Sequence, residues 1–147
     1  MPREFKTILC ATDFSEESYG ALQYGLRFAQ LSDGVLLLAH ILHDPSSEEF
    51  HPEGYELSFE QVRQRAMTRL QDIQRTQLGG YPKCEPLVAI GDPYEQLMTI
   101  ARERAVDLIV TATHGRTRLG HLTMGSVAEK IIRHAPCPVF VVRRGAE

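Results

Sequence analysis

Val35-Leu36-Leu37-Leu38-Ala39-His40-Ile41 is an apolar run of strand length with almost no polar alternation, the pattern of a strand covered on both faces. Shorter runs of the same kind flank it: Thr7-Ile8-Leu9-Cys10-Ala11 before it, then Leu87 to Ile90, Leu108 to Ala112 and Val139 to Val142. Between these runs the apolar residues recur at helical spacing. Leu22, Leu26 and Ala29 form one stripe, and Val62, Ala66, Leu70 and Ile73 a second. Leu97, Ile100 and Ala101 form a third stripe, and Ala128, Ile131, Ile132 and Ala135 a fourth. Buried strands alternating with amphipathic helices define an α/β chain with a parallel sheet wrapped by helices.

The punctuation agrees with the periodicity. Ser15 precedes Glu16 and Glu17, while Asp92-Pro93-Tyr94-Glu95 sets an N-cap Asp, an N1 Pro and an N3 Glu in order. Gly79-Gly80 and Pro136 mark helix ends. From Asp44 to Val62 the chain carries Asp44, Glu48, Glu49, Glu53, Glu56 and Glu60 and no Lys or Arg, which reads as an acidic surface loop leading into the second helix. Pro138 opens the last run, and proline is tolerated on an edge strand, so Val139, Phe140, Val141 and Val142 are expected at the sheet edge. An apolar edge invites pairing with a second copy of the chain, unless Arg143-Arg144 and the short tail blunt it.

At 147 residues and 16.6 kDa the chain suffices for one domain, 1–147, with a sizeable core. Nineteen acidic against sixteen basic residues give a net charge of -3, which removes the footprint of a general nucleic-acid or anionic-membrane binder. No apolar run approaches membrane-spanning length, and the N-terminus lacks the pattern of a signal peptide. A cytoplasmic location is therefore expected. Cys10, Cys84 and Cys137 are widely spaced in apolar surroundings and read as buried thiols of a reducing compartment.

Several chemistries are missing. The first strand ends Ala11-Thr12-Asp13 rather than in GxGxxG, which excludes a dinucleotide fingerprint. Gly115 to Gly120 has P-loop glycine spacing, but His121-Leu122 stand where Lys-Ser/Thr is required. Neither HExxH nor GxSxG occurs. His40 and His43 sit three apart on a strand, which sends their rings to opposite faces, so they read as ordinary surface histidines rather than metal ligands.

The positive signal runs from Thr111 to Ala128: Thr111-Ala112-Thr113-His114-Gly115, nine residues, then Gly125-Ser126-Val127-Ala128. It joins the end of the fourth strand to the start of the fourth helix. A helix N-terminus offers unbonded backbone N–H groups and partial positive charge to an anion. Gly125 allows close approach of a phosphate, Ser126 can cap the helix or bond a phosphate oxygen, and Arg116, Arg118, Lys130 and Arg133 outweigh Glu129 locally. In open parallel sheets ligands bind beyond the strand carboxyl ends where strand order reverses, so Asp13 and His114-Gly115 would flank one crevice if their strands are neighbours.

These residues resemble the universal stress protein family, whose nucleotide-binding members carry GxxG, nine residues, then Gly-Ser/Thr. The corresponding residues are Ala112-Thr113-His114-Gly115, then Gly125-Ser126. Ile8 to Ser15, Gly91-Asp92-Pro93, Gly125 to Lys130 and Ala135-Pro136-Cys137-Pro138-Val139 extend the resemblance over almost the whole chain. It implies a Rossmann-like open five-stranded parallel sheet in the order 3-2-1-4-5 with helices on both faces, and homodimers joined through the last strand. It also implies that Ala11, Thr12, Asp13 and Ile41 contact adenosine, and that Ala112, His114, Gly115, Gly125, Ser126, Val127 and Ala128 contact ribose and phosphates. The cofactor would be ATP or another adenine nucleotide, with or without Mg2+ or Mn2+. Ala112 departs from the motif: it weakens binding if the position needs positive φ or close approach, and loses nothing if it merely ends the strand. Asp13 either faces sugar or base, meets the phosphates through a divalent ion, or simply caps the first helix or braces its own loop.

The expected function is that of a small ATP-binding stress-response protein, a dimeric switch or sensor whose nucleotide state alters a protein partner of unknown identity. The alternative is a nucleotide-independent homodimeric scaffold of the same family, for which Ala112 speaks and Gly115, Gly125 and Ser126 speak against. A true phosphotransferase needs metal ligands and an oriented nucleophile; only Asp13 and His114 are candidates, so slow hydrolysis at most is expected.

Overall fold

The computed structural model describes residues 4–43, 58–113 and 125–143. Five strands, β1 (Thr7–Ala11), β2 (Val35–Leu42), β3 (Cys84–Ile90), β4 (Leu108–Ala112) and β5 (Val139–Val142), alternate with four helices. These are α1 (Glu16–Ser32), α2 (Phe59–Thr76), α3 (Pro93–Glu103) and α4 (Ser126–His134). All pairings are parallel and the sheet order is β3-β2-β1-β4-β5, which puts β1 at the centre and β5 at one edge.

The near-continuous apolar runs are sorted by strand parity into two cores. Ile8, Cys10, Leu36, Leu38, Leu108 and Val110 face α1 and α2, where Leu22, Ala29, Leu70 and Ile73 cover them. Leu9, Leu37, Ala39, Ile41 and Ile109 face α3 and α4, where Leu97, Met98, Ala101 and Ile131 cover them. Each such leucine or isoleucine contributes about 1.5–3 kcal/mol on burial, which is why neither face can be left open. α1 lies so close to β1 that a Cβ built on Gly25 would stand 2.2 Å from Cys10 Sγ.

The caps form as the sequence indicates. Ser15 Oγ accepts from Ser18 N at 3.3 Å, and Asp92 Oδ2 accepts from Glu95 N at 3.0 Å with Pro93 in the first turn. Gly79 and Gly80 take positive φ just beyond α2, and Pro136 follows the end of α4. Two boundaries differ from expectation. β3 begins at Cys84 rather than Leu87 and includes Pro86, which it tolerates as an edge strand paired only with β2. The second helix begins at Phe59, inside the stretch read as loop, because Ser58 and Gln61 close a capping box; the rest of the acidic stretch, 44–57, lies outside the described residues.

All three cysteines are free thiols; Cys10 and Cys84 are buried, whereas Cys137 is only partly so. Burial drives the Cys10 thiol far above its ordinary range and pushes Cys84 up to about 11. Among the described residues no helix is long and apolar enough to cross a membrane.

Candidate functional site

A crevice begins where the β1–β4 ladder stops. These strands pair from Ile8↔Leu108 to Cys10↔Val110. Beyond that point β1 follows β2, through Ala11↔Ala39 and a 2.8 Å bond from Thr12 N to Ala39 O. β4 follows β5 instead, through Ala112↔Val142 and a 3.1 Å bond from Thr113 N to Val142 O. Each strand end stays with its outer neighbour, so the two chains part at the carboxyl end of the sheet, at the point where strand order reverses.

The loop leaving β1 is locked by its own polar groups. Phe14 N donates to Thr12 Oγ1 at 2.9 Å, Thr12 Oγ1 and Ser18 Oγ are 2.8 Å apart, and Ser18 Oγ donates to Ser15 O at 2.7 Å. Because Ser18 spends its proton on a carbonyl, Thr12 is the donor to Ser18 and the acceptor from Phe14. Thr12 O in turn lies 2.7 Å from His40 Nδ1, and a carbonyl can only accept, so Nδ1 carries the proton. Thr12 is 3% exposed, and every polar group it owns is engaged inside the protein. Asp13 Oδ1 accepts from Ser15 N at 3.0 Å, so it braces the loop while Ser15, not Asp13, caps α1.

His40 corrects the sequence reading. It is 7% exposed, not a surface residue, because β2 is covered on both faces; its even position puts it on the face that carries Leu36 and Leu38. His43 is exposed, as expected. The His40 ring stacks on Phe14 at 4.3 Å between centroids, and the Arg69 guanidinium lies 3.7 Å from the Phe14 centroid. Neither Phe14 nor Arg69 was singled out by the sequence; the apolar run covered on both faces, within which His40 sits, was the available signal.

Across the crevice, Gly125 N donates to Thr113 O at 2.6 Å, so α4 starts directly against the end of β4. Gly125 is the N-cap, with extended φ of -63° and no side-chain cap bond. Ser126 therefore does not cap the helix: it is the first helical residue, with an exposed side chain. The first intrahelical bond is Glu129 N to Gly125 O, which leaves the amides of Ser126, Val127 and Ala128 without an intrahelical acceptor. Ala11, Ile41 and Val127 belong to the α3–α4 side of the sheet and supply an apolar wall there.

Ala112 ends β4 in extended backbone and is absent from the described non-glycine residues with positive φ, so glycine's conformational freedom is not used at this position. Its methyl packs with the core on the α1 side. His114, Gly115, Arg116 and Arg118 lie outside the described residues. The expected basic surface is thinner than the sequence count: Arg133 sits in the last turn of α4, away from its N-terminus, and pairs with Glu129 at 2.9 Å. Lys130 lies 5.9 Å from the Tyr94 ring. Among the described residues no group of three His, Cys, Asp or Glu side chains could hold a metal ion.

At the sheet edge, Pro138 O and Val142 O accept bonds from β4, so by strand alternation the main-chain groups of Val139 and Val141 face outward. Phe140 packs on Tyr24 and Phe28 at 5.4 and 5.1 Å between centroids, yet remains 36% exposed.

Residues 4–143 match the family model described as the universal stress protein family. The chain belongs to that family. A curated universal stress protein from Thermus aquaticus is 33% identical, with 95% of this chain and 99% of that protein covered. The solved structure of the MJ0577 protein, whose curated counterpart comes from Methanocaldococcus jannaschii, superposes with a TM-score of 0.80 at 30% identity, covering 99% and 100% of the two chains. Two further structures share the fold: a universal stress protein in complex with cAMP, and one from Archaeoglobus fulgidus in complex with dAMP. The first gives a TM-score of 0.69 at 20% identity, covering 96% and 98%. The second gives 0.64 at 19%, covering 95% and 98%. The five-stranded 3-2-1-4-5 sheet with helices on both faces is thus the universal stress protein architecture.

Proposed function

We propose that this universal stress protein binds ATP or another adenine nucleotide in the crevice between the carboxyl ends of β1 and β4. The observation that carries the reading is the start of α4, where three amides without intrahelical acceptors adjoin the end of β4 at the switch point. The cAMP and dAMP complexes of other family members support the adenine class. In this reading Ala11 and Ile41 line the adenosine side with Asp13, and Thr12 acts by holding the loop, since its polar groups are already engaged. Gly125, Ser126, Val127 and Ala128 receive phosphate through their backbone and the Ser126 hydroxyl, with Ala112, His114 and Gly115 completing the ribose and phosphate end. A Mg2+ or Mn2+ ion would arrive with the nucleotide, Asp13 being the carboxylate that the β1 loop would offer it.

The whole chain, 1–147, works in this proposal as one cytoplasmic domain and pairs through Val139, Phe140, Val141 and Val142 of β5, the outward main-chain groups of Val139 and Val141 supplying the bonds. Nucleotide state then alters the contact with a protein partner; hydrolysis is slow or absent in this reading, because Asp13 and His114 are the candidates for a reaction that needs metal ligands and an oriented nucleophile. The test is to denature freshly purified protein, identify released small molecules, and titrate stripped protein with ATP and Mg2+ by calorimetry. Co-purified adenine nucleotide or saturable heat is expected. No released nucleotide and no heat at millimolar ATP would leave the nucleotide-independent scaffold dimer as the function.

A further inference from the structure

We infer that Arg69, Phe14 and His40 form a stacked column that positions the Thr12–Asp13 loop for the adenosine end of the nucleotide, an inference that rests on the reading above. Phe14 has φ of +66°, a conformation that a bulky side chain adopts only when its surroundings impose it. What imposes it is visible: the Arg69 guanidinium from α2 lies 3.7 Å from the ring centroid, and the His40 ring from β2 lies 4.3 Å away at an interplanar angle of 35°. Phe14 N is held by Thr12 Oγ1 at 2.9 Å, so the residue is fixed at both ring and backbone.

The consequence falls on one peptide plane. His40 Nδ1–H draws Thr12 O toward the face that carries Leu36 and Leu38. In a trans peptide the next N–H points opposite to the carbonyl, so the Asp13 amide is directed toward the other face, where Ala11 and Ile41 lie. The column thus selects the side of the sheet to which Asp13 presents its amide. Arg69 is an exposed residue of α2, which packs on the face of the sheet opposite to α4 and its N-terminus. These three are positioning residues: they act through Thr12 and Asp13.

The test uses full-length protein and four forms: wild type, Arg69→Ala, Arg69→Lys and His40→Leu. Dissociation constants are measured at a temperature well below each form's unfolding midpoint for ATP, and for inorganic tripolyphosphate by displacement of a fluorescent ATP. The column predicts that Arg69→Ala weakens ATP about 3- to 10-fold and His40→Leu about 10-fold or more, with tripolyphosphate affinity within about twofold. Arg69→Lys, a cation without the planar guanidinium, falls between wild type and Arg69→Ala. A role in stability alone would lower the unfolding midpoint and leave the ATP constant unchanged. Unchanged ATP binding in Arg69→Ala, or equal losses for ATP and tripolyphosphate, overturns the inference while the nucleotide reading stands. Wild type that binds no adenine nucleotide overturns that reading first and the inference with it. Arg69 is exposed on α2, so its variants keep the test decisive if His40→Leu does not fold.

Discussion

Gly25→Ala pits two effects of opposite sign against each other, and the structure decides between them. In an isolated helix, replacing an interior glycine by alanine stabilises by about 1 kcal/mol. Here the new Cβ would lie 2.2 Å from Cys10 Sγ and 3.4 Å from Leu36 Cδ1. The sulfur contact is about 1.5 Å short of ordinary van der Waals separation, and inserting a methyl group into a packed core costs about 1–3 kcal/mol. The upper end applies, because Cys10 is wholly buried among the close-packed residues of the core under α1. The net expectation is a loss of about 2 kcal/mol, or about 4–8 °C in midpoint for a domain of this size. Removing the sulfur reverses the sign: with Cys10→Ala already present, the nearest remaining Cys10 atom is Cβ at 3.8 Å, an ordinary contact. Gly25→Ala should then stabilise by up to about 1 kcal/mol, giving a coupling of about 3 kcal/mol between the sites. Urea unfolding of the four proteins of this cycle measures it. A stabilising Gly25→Ala in the wild-type background, or two substitutions that simply add, would refute the seat of α1 on β1 that also fixes Ser15 and Ser18 beside the crevice.

Thr12→Val keeps the shape but orphans Phe14 N–H and removes the bond that Ser18 Oγ accepts, and should cost about 1–3 kcal/mol in urea unfolding, non-additively with Ser18→Ala because both cut one chain of bonds. Alkaline stability follows from the thiols: Cys84 stays protonated in the folded protein up to about 11 while the unfolded thiol ionises at its ordinary value of 9.0, so the unfolded state holds fewer protons between them. Stability is therefore full below pH 9 and falls as pH rises through about 11, and the urea midpoint of Cys84→Ala should fall less over that window. Val141→Pro removes an outward N–H without touching the β4 ladder, so light scattering should give the monomer mass with the circular dichroism of the fold retained; a persistent dimer would refute pairing through β5. Ala112→Gly should change the ATP dissociation constant less than about threefold while costing about 0.5–1 kcal/mol of stability, measured by calorimetry and urea unfolding.

The layers were legible because both faces of this sheet are covered: a doubly buried strand such as Val35 to Ile41 has no alternation to misread, and Ser15 and Asp92 announce their helices chemically. β3 was clipped because Pro86 looks like a break unless the strand is known to be an edge, which depends on long-range pairing. The start of α2 was legible in Ser58 and Gln61 but was masked by the acidic composition around them. The glycine segment marked one wall of the crevice, since helix starts are local events. The other wall was read incompletely: what holds Thr12 and Phe14 comes from Ser18, His40 and Arg69, on three different elements. No local pattern brings a strand histidine, a loop phenylalanine and a helix arginine together; only the closed sheet does.

Ala112 is the residue on which the scaffold alternative leans, and its geometry weakens that support. A glycine there would matter for one of two reasons: a backbone angle that alanine avoids, or a Cβ standing in the ligand's way. The first does not apply, because Ala112 is a paired strand residue opposite Val142 without positive φ. The second is answered by parity. The Ala112 methyl packs with the core under α1, whereas Val127 and Ile131 of α4 pack on the opposite face of the sheet. The amides that would receive phosphate begin on that opposite side, at Ser126 to Ala128, with Gly125 free of any cap side chain. The substitution thus falls on the face of β4 turned from α4, and the demand for an uncrowded backbone rests on Gly125.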